Sequence, residues 1–172
     1  MGFAYRKVFF SFHYQRDIWR VNQIRHSGAF RGVEECGFID FSLWEDKGDA
    51  ANATLRRLIA EGLHGTSVTA ILVGTETSQR PWVHYEIAES RRRGNGLIVV
   101  RIHNVKDIKE RTDSWGSNPL DYHTFGGTGP LAQTKVSLLV PEYDWVFNNG
   151  YANFGSWIDT AAGKGLVTKL FE

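Results

Sequence analysis

Trp82 and Glu86 have the residue types and the spacing that best suit ligand chemistry in this sequence. A helix is predicted over about Pro81 to Arg93, and residues four apart on it lie on one face, one turn from each other. An apolar strand, Ser67 to Val73, leads into the helix. In open α/β sheets ligands bind beyond the carboxyl ends of the strands, where this carboxylate and ring would lie. Solvated helix glutamates are common, so spacing alone leaves a functional and a structural interpretation open.

Local signals set the bounds of this helix. Proline suits the first helical position because its missing N–H would have no helical partner there. Gly94 follows the last charged turn, which is where a glycine ends a helix. Val83 and Ile87 share the neighbouring face and are expected to pack on the sheet.

Apolar runs alternate with helical patterns along the rest of the chain. This alternation predicts a three-layer, flavodoxin-like α/β domain with helices on both faces of a mainly parallel sheet of about five strands. We expect residues 1–172 to form a single domain, because nothing in the sequence resembles a linker. The predicted strands are Val8–Phe12, Gly37–Leu43, Ser67–Val73, Leu97–Ile102 and a fifth over Lys135–Val140.

The last third of the chain has weaker patterns. Residues 104–141 are expected to form an irregular insertion, and a loop this long is usually functional or carries structure of its own. Tyr143 to Phe147 suggests a helical turn. A final helix is predicted over about 153–162, because apolar residues recur there at helical spacing.

Composition excludes several classes of function. Lys and Arg number 20 against 19 Asp and Glu, which gives no support for a nucleic-acid-binding face. Cys36 is the single cysteine, so no intrachain disulfide forms. No histidine pair has ligand spacing on one predicted face, so no metal site is expected. No apolar run approaches the roughly 18 residues of a membrane span. We expect a cytoplasmic protein without a membrane segment.

Five motifs resemble a known family. The Trp-x-x-x-Glu spacing after a central strand resembles the TIR domain, and Lys7–His13 (KVFFSFH) is similar to the first strand of that fold. Three further segments resemble the prokaryotic TIR-like branch that includes the signal-producing proteins of Thoeris antiphage defence. They are Ser42–Asp46 (SLWED), Asn118–Tyr122 (NPLDY) and Tyr143–Val146 (YDWV).

The resemblance implies that Glu86 is catalytic in an NAD-cleaving enzyme. Breaking the nicotinamide–ribose bond builds positive charge on the ribose, and a carboxylate beside it stabilises that charge. Nicotinamide leaves as a neutral molecule, so no strong general acid is required. NAD is then the substrate, and no bound cofactor is expected.

The remaining candidate residues would form the substrate-binding walls. Phe12 and His13 follow the first strand, which neighbours the third if the strand order is 2-1-3-4-5. His13 could contact ribose or nicotinamide, or could be a hydrogen-bonded loop histidine. Trp82 is a candidate pocket wall or a core residue. Trp44 and Asp46 follow the second strand, in a loop that in the TIR fold often closes over the ligand or joins a neighbouring subunit. Burial of Trp44 against the next helix is the alternative.

Three hypotheses for function remain open at this point. In the first, the protein cleaves NAD and makes a cyclic ADP-ribose-type signal, which diffuses to a separate effector. A phage-derived trigger would start this synthesis, and the protein would self-associate through TIR–TIR contacts. In the second, the domain binds a nucleotide or associates with other TIR domains without turnover. In the third, it is an N-glycosidic enzyme resembling a nucleoside deoxyribosyltransferase.

Overall fold

A computed structural model describes residues 6–29, 33–35 and 48–169. Strands and helices alternate through most of this part of the chain. Short 3₁₀ helices occur at Thr77–Gln79, Pro119–Tyr122 and Val136–Leu138. The longer elements are β1 (Arg6–Ser11), α1 (Tyr14–His26), β2 (Val33–Glu35), α2 (Asp49–Gly62), β3 (Val68–Val73), α3 (Pro81–Arg93), β4 (Gly96–Arg101), β5 (Glu142–Asp144) and α4 (Gly150–Lys169).

The five strands form one parallel sheet in the order β2-β1-β3-β4-β5. This order confirms the predicted flavodoxin-like α/β fold, and it makes β1 and β3 neighbours, with Ser11 opposite Ile71. Every residue of β3 and β4 is buried, as expected for central parallel strands covered on both faces. The switch in strand order therefore lies between β1 and β3, where ligands bind in such sheets.

Successive residues of each strand face opposite sides of the sheet. Ala70 and Leu72 pack on one side in a cluster with α1 and α4, while Ile71 and Val73 pack on the other with α3. A third cluster joins Phe9 of β1 to α2. The helices α1 and α4 thus cover one face, and α2 and α3 cover the other.

The predicted bounds of α3 are confirmed. Pro81 occupies its first turn, and Gly94 ends it in the left-handed conformation at φ 80°. The Gly94 N–H donates to the Arg91 carbonyl at 2.9 Å, which satisfies one of the last helical acceptors. These are local backbone effects, so they could be predicted without knowledge of the tertiary structure.

The predicted fifth strand, Lys135–Val140, is wrong. Val136 and Val140 are buried four residues apart, with exposed Leu138 between them, and Val136–Leu138 is a 3₁₀ helix. The fifth strand begins after Pro141, whose carbonyl accepts a hydrogen bond from Val99 at 3.0 Å. Proline has no N–H to donate, so it suits the start of an edge strand.

Three other predictions have mixed outcomes. The described second strand, β2, precedes the predicted segment 37–43, which lies outside the described residues. The predicted helical turn at 143–147 is a strand as far as Asp144, and turns follow it. The final helix exists but is longer than the predicted 153–162, running from Gly150 to Lys169.

Replacing Gly96 by alanine is expected to lower the free energy of unfolding. A Cβ at Gly96 would overlap the Ala161 carbonyl, because α4 packs directly on the first residue of β4. The expected cost is on the order of 1–3 kcal/mol, as for other overpacked cores. Urea unfolding measures it.

Gly163→Ala is the matched control for this substitution. Gly163 lies in α4 with open space around it, so an alanine there should stabilise the protein by roughly 0.5–1 kcal/mol. Equal urea midpoints for Gly96→Ala and the unmodified protein would contradict the described packing of α4 on β4.

Candidate functional site

Glu86 lies on the second turn of α3 and is buried, with 1% of its surface exposed. Its carboxyl oxygen Oε2 accepts a hydrogen bond from the Ser11 hydroxyl at the end of β1. Its backbone carbonyl accepts a second bond from the Ser90 hydroxyl at 2.6 Å. The carboxyl group is therefore held between the end of β1 and the helix that follows β3, at the switch in strand order.

Burial dominates the ionisation of this group. It raises the pKa of Glu86 from 4.5 to about 8, against the opposing effect of the Ser11 hydrogen bond. A charged carboxylate loses its hydration when it is buried, so the neutral form is favoured. At neutral pH the Glu86 side chain consequently holds a proton in the unliganded protein.

Trp82 lies one turn before Glu86 and is partly buried. Its ring packs against the Phe9 cluster on α2 and meets the Tyr85 ring edge-on at 5.7 Å. Trp82 thus joins α3 to α2 while part of its surface stays open. Its assignment as a substrate-binding wall stays a prediction.

His13 follows β1 and is buried, and its pKa is lowered by burial and by the nearby Arg80 charge. Neither ring nitrogen has a hydrogen-bond partner among the described residues, and the nearest acid is Glu76, with Nδ1 3.9 Å from Oε2. Buried polar groups are normally hydrogen-bonded, so a buried imidazole that lacks a hydrogen-bond partner in the described part of the chain is unusual. This finding suits a ligand contact better than the alternative of a hydrogen-bonded loop histidine.

Phe12 packs in the cluster on the α1 and α4 side of the sheet, with its ring stacked on Tyr14 at 6.1 Å. Ser11, one residue earlier, meets Glu86 on the other side, so the structure does not place Phe12 and Glu86 on one face. A ligand role for Phe12 stays a prediction. Trp44 and Asp46 lie outside the described residues, and their predicted roles are untested.

Asp17 is a buried acid that the sequence did not single out. Burial raises its pKa to about 7, although Arg20 lies 3.6 Å away and lowers it. Neither carboxyl oxygen has a hydrogen-bond partner among the described residues. A Cβ at Gly74 would overlap this carboxyl, so Asp17 packs directly against the end of β3. In the sequence, Asp17 looks like an ordinary acidic residue at a helix start.

A strap of residues 113–118 crosses the carboxyl end of β3. The Thr75 hydroxyl donates to the Ser114 carbonyl at 2.6 Å. A Cβ at Gly116 would overlap the carbonyl oxygens of Gly74 and Thr75, so the strap lies in direct contact with the backbone there. The irregular insertion therefore covers part of the edge where ligands bind in this fold.

Two arginines hold the strap in place. Arg16 donates two hydrogen bonds to the Asp113 carboxylate, at 3.0 and 3.1 Å. The buried Arg101 donates to the Gly116 carbonyl and lies over the Trp115 ring, 4.2 Å from its centre. A charged residue inside the apolar run of β4 was the sequence signal for such an anchor, since buried charges require partners.

A histidine pair fixes the start of α3 to the 3₁₀ helix Pro119–Tyr122. His84 Nδ1 lies 3.0 Å from His123 Nε2, and His84 Nε2 lies 2.8 Å from the Ser78 carbonyl. Because a carbonyl can only accept, His84 donates from Nε2. Burial, followed by the nearby His84 and Arg91, lowers the pKa of His123 to about 4, so His123 is neutral at physiological pH.

Two features are absent from the described part of the chain. Within residues 6–29, 33–35 and 48–169, no group of three or more His, Cys, Asp or Glu residues could hold a metal ion. None of the helices in the same part of the chain is both long and apolar enough to cross a membrane.

Comparison with known proteins decides the family. The family model "Thoeris protein ThsB, TIR-like domain" matches residues 9–107. A protein of Bacillus cereus (strain MSX-D12) named "Putative cyclic ADP-D-ribose synthase ThsB1" is 36% identical over 190 aligned positions, covering 90% of this chain and 99% of that protein. The chain belongs to the ThsB TIR-like family.

Family membership confirms the resemblance predicted from the five motifs. The matched range contains Ser11, Glu86 and the switch between β1 and β3, while the strap of residues 113–118 lies beyond it. The part of the site that holds the buried carboxyl is thus within the family region of this ThsB-type chain.

Replacing Glu86 by glutamine is expected to weaken the pH dependence of stability. The folded-state pKa of about 8 exceeds the unfolded value of 4.5, so the folded protein keeps a proton that the unfolded chain releases. The contribution of Glu86 to the free energy of unfolding is therefore greatest at low pH. It is lost between about pH 5 and about pH 8, at up to roughly 1.4 kcal/mol per pH unit. Glutamine does not titrate, so this loss should disappear.

Urea unfolding of both proteins across this pH range measures the difference. Asp17 titrates in both, so the comparison isolates the contribution of Glu86. Parallel stability curves for the two proteins would show that Glu86 ionises normally in the folded state.

Proposed function

We propose that this protein cleaves NAD at the nicotinamide–ribose bond and joins the remaining ADP-ribose to itself, producing a cyclic ADP-ribose-type signal in Thoeris antiphage defence. The observation that carries the proposal is the buried Glu86 carboxyl at the β1–β3 switch in a ThsB-family chain. The name of the Bacillus cereus relative, which describes a cyclic ADP-D-ribose synthase, supports the same reaction class.

In the proposed reaction, the bond between the ribose carbon and the nicotinamide nitrogen breaks. Its electron pair stays with nicotinamide, which leaves neutral, and positive charge develops on the ribose. The Glu86 carboxylate stabilises that charge from one side. A hydroxyl of the same ADP-ribose then bonds to the ribose carbon and releases its proton, closing the ring. Attack by water would give ADP-ribose as a side product.

The ionisation state of Glu86 suits a cationic substrate. In the unliganded protein the group is neutral at pH 7, because its pKa is about 8. The nicotinamide ring of NAD carries a positive charge, and an opposite charge nearby favours the ionised form of a carboxyl group. Binding would therefore release the Glu86 proton and create the carboxylate that the reaction needs. Within this proposal, NAD is a consumed substrate and not a resident cofactor.

The proposed partners follow from the same function. The cyclic nucleotide would diffuse to a separate effector and activate it. Self-association through TIR–TIR contacts and activation by a phage-derived trigger belong to the proposal as well. The proposed substrate contacts are His13, Trp82, Phe12, Trp44 and Asp46. One of them is supported by an observation, since neither ring nitrogen of the buried His13 has a hydrogen-bond partner among the described residues.

Glu86→Gln is expected to reduce turnover of NAD by at least about 100-fold, because it removes the charge that stabilises the ribosyl cation. Mass spectrometry of NAD incubated with concentrated protein measures it. The unmodified protein should form a product of ADP-ribose mass less one water, and the variant should not.

Glu89→Gln provides the matched control on the same helix. The Glu89 carboxylate is paired with Arg92 and Arg93, so removing its charge should leave turnover unchanged. Undiminished turnover by folded Glu86→Gln would contradict the role of Glu86. If the unmodified protein produced ADP-ribose alone, the proposed cleavage of NAD would stand and the proposed cyclisation would be contradicted.

A further inference from the structure

Ser11 and Glu86 make a buried contact between two parts of the chain 75 residues apart. Ser11 is fully buried and Glu86 is 1% exposed. The Ser11 hydroxyl donates to Oε2, and among the hydrogen bonds of the described residues it is the one that reaches this carboxyl. A hydroxyl that donates to a carboxylate stabilises the charged form.

The backbone makes Ser11 a rigid donor. It is the last residue of β1 and pairs with Ile71 in the interior of the sheet. Phe10 and Phe12 on either side of it pack into the α1 and α4 face, so the Ser11 side chain must point toward α3. Serine also has a single side-chain torsion before its oxygen, which leaves the hydroxyl little freedom to move.

We infer that Ser11 is a positioning residue for Glu86, which fixes one carboxyl oxygen and stabilises its negative charge during the reaction. This inference rests on the proposed function, because it assigns the same carboxyl a catalytic role. Ser11 acts through Glu86 and is not assigned a contact with the substrate. The other carboxyl oxygen, Oε1, is then the one assigned to the ribose.

Within the described residues, burial and the Ser11 hydrogen bond set the pKa of Glu86. Loss of the hydroxyl therefore raises the pKa of Glu86 further above its value of about 8. If the increase is about one pKa unit, the ionised fraction at neutral pH falls about tenfold.

The test compares Ser11→Ala and Ser11→Thr with Ser90→Ala. Because the pH dependence of kcat/KM reports the free enzyme, Ser11→Ala should lower kcat/KM about tenfold at neutral pH, and higher pH should restore part of the loss. Ser11→Thr keeps a hydroxyl and should retain most of the activity and the pH profile. Ser90→Ala removes an equally buried hydroxyl that contacts the Glu86 carbonyl, not its carboxyl, and should leave the pH profile unchanged.

A titration independent of turnover separates this inference from the proposed function. Carbon-13 NMR of glutamate-labelled protein follows the Glu86 carboxyl, which is assigned by its absence in Glu86→Gln. The expected result is a higher pKa in Ser11→Ala than in Ser90→Ala and in the unmodified protein. An unchanged Glu86 titration in folded Ser11→Ala would overturn the positioning role. Full turnover by Glu86→Gln would overturn the proposed function and, with it, this role for Ser11.

Discussion

The Glu86 carboxyl group is buried where water cannot hydrate it, between the end of β1 and the second turn of α3. A buried charge is costly, so the folded protein holds this group neutral near pH 7 with a raised pKa. The raised pKa also makes the protonation of Glu86 sensitive to its surroundings, because a nearby positive charge favours the ionised carboxylate. A buried acid facing a cationic substrate is thus the physical basis of the proposed reaction.

The topology of the sheet determines where this group lies. Parallel pairing of β1 with β3 brings Ser11 beside the helix that follows β3. The strap of residues 113–118 is laid over the end of β3 and anchored by Arg16 and Arg101. His13 and Asp17, both buried and without hydrogen-bond partners among the described residues, lie in the segment that follows β1. Polar groups from distant parts of the chain therefore gather along one edge of the sheet.

Much of this arrangement could be predicted from sequence because its signals are local. Pro81 and Gly94 determine the ends of α3 through backbone conformation, and the apolar runs of β3 and β4 are long and uninterrupted. The alternation of elements predicts the parallel sheet, whereas the order 2-1-3-4-5 enters only as a condition for placing His13 near α3. The position of Glu86 on α3 followed from the spacing of four residues after Trp82.

The features that were predicted wrongly or missed depend on tertiary contacts. Lys135–Val140 has strand-like composition, but its two buried valines are four residues apart and the edge strand forms beyond Pro141. The Ser11 contact could not be predicted, since nothing near Ser11 in sequence indicates that its hydroxyl meets a carboxyl. Asp17 was overlooked because its burial depends on the close approach of Gly74. Burial of a polar group is decided by the packing around it.

The most direct test of the account is a crystal structure of this protein with a non-cleavable NAD analogue that keeps the charged nicotinamide ring. We predict that the scissile ribose lies beside Glu86, with one carboxyl oxygen within hydrogen-bonding distance of a ribose hydroxyl and the other still bonded to Ser11. An analogue bound elsewhere, with Glu86 still enclosed against Ser11 and out of contact with the ligand, would contradict it.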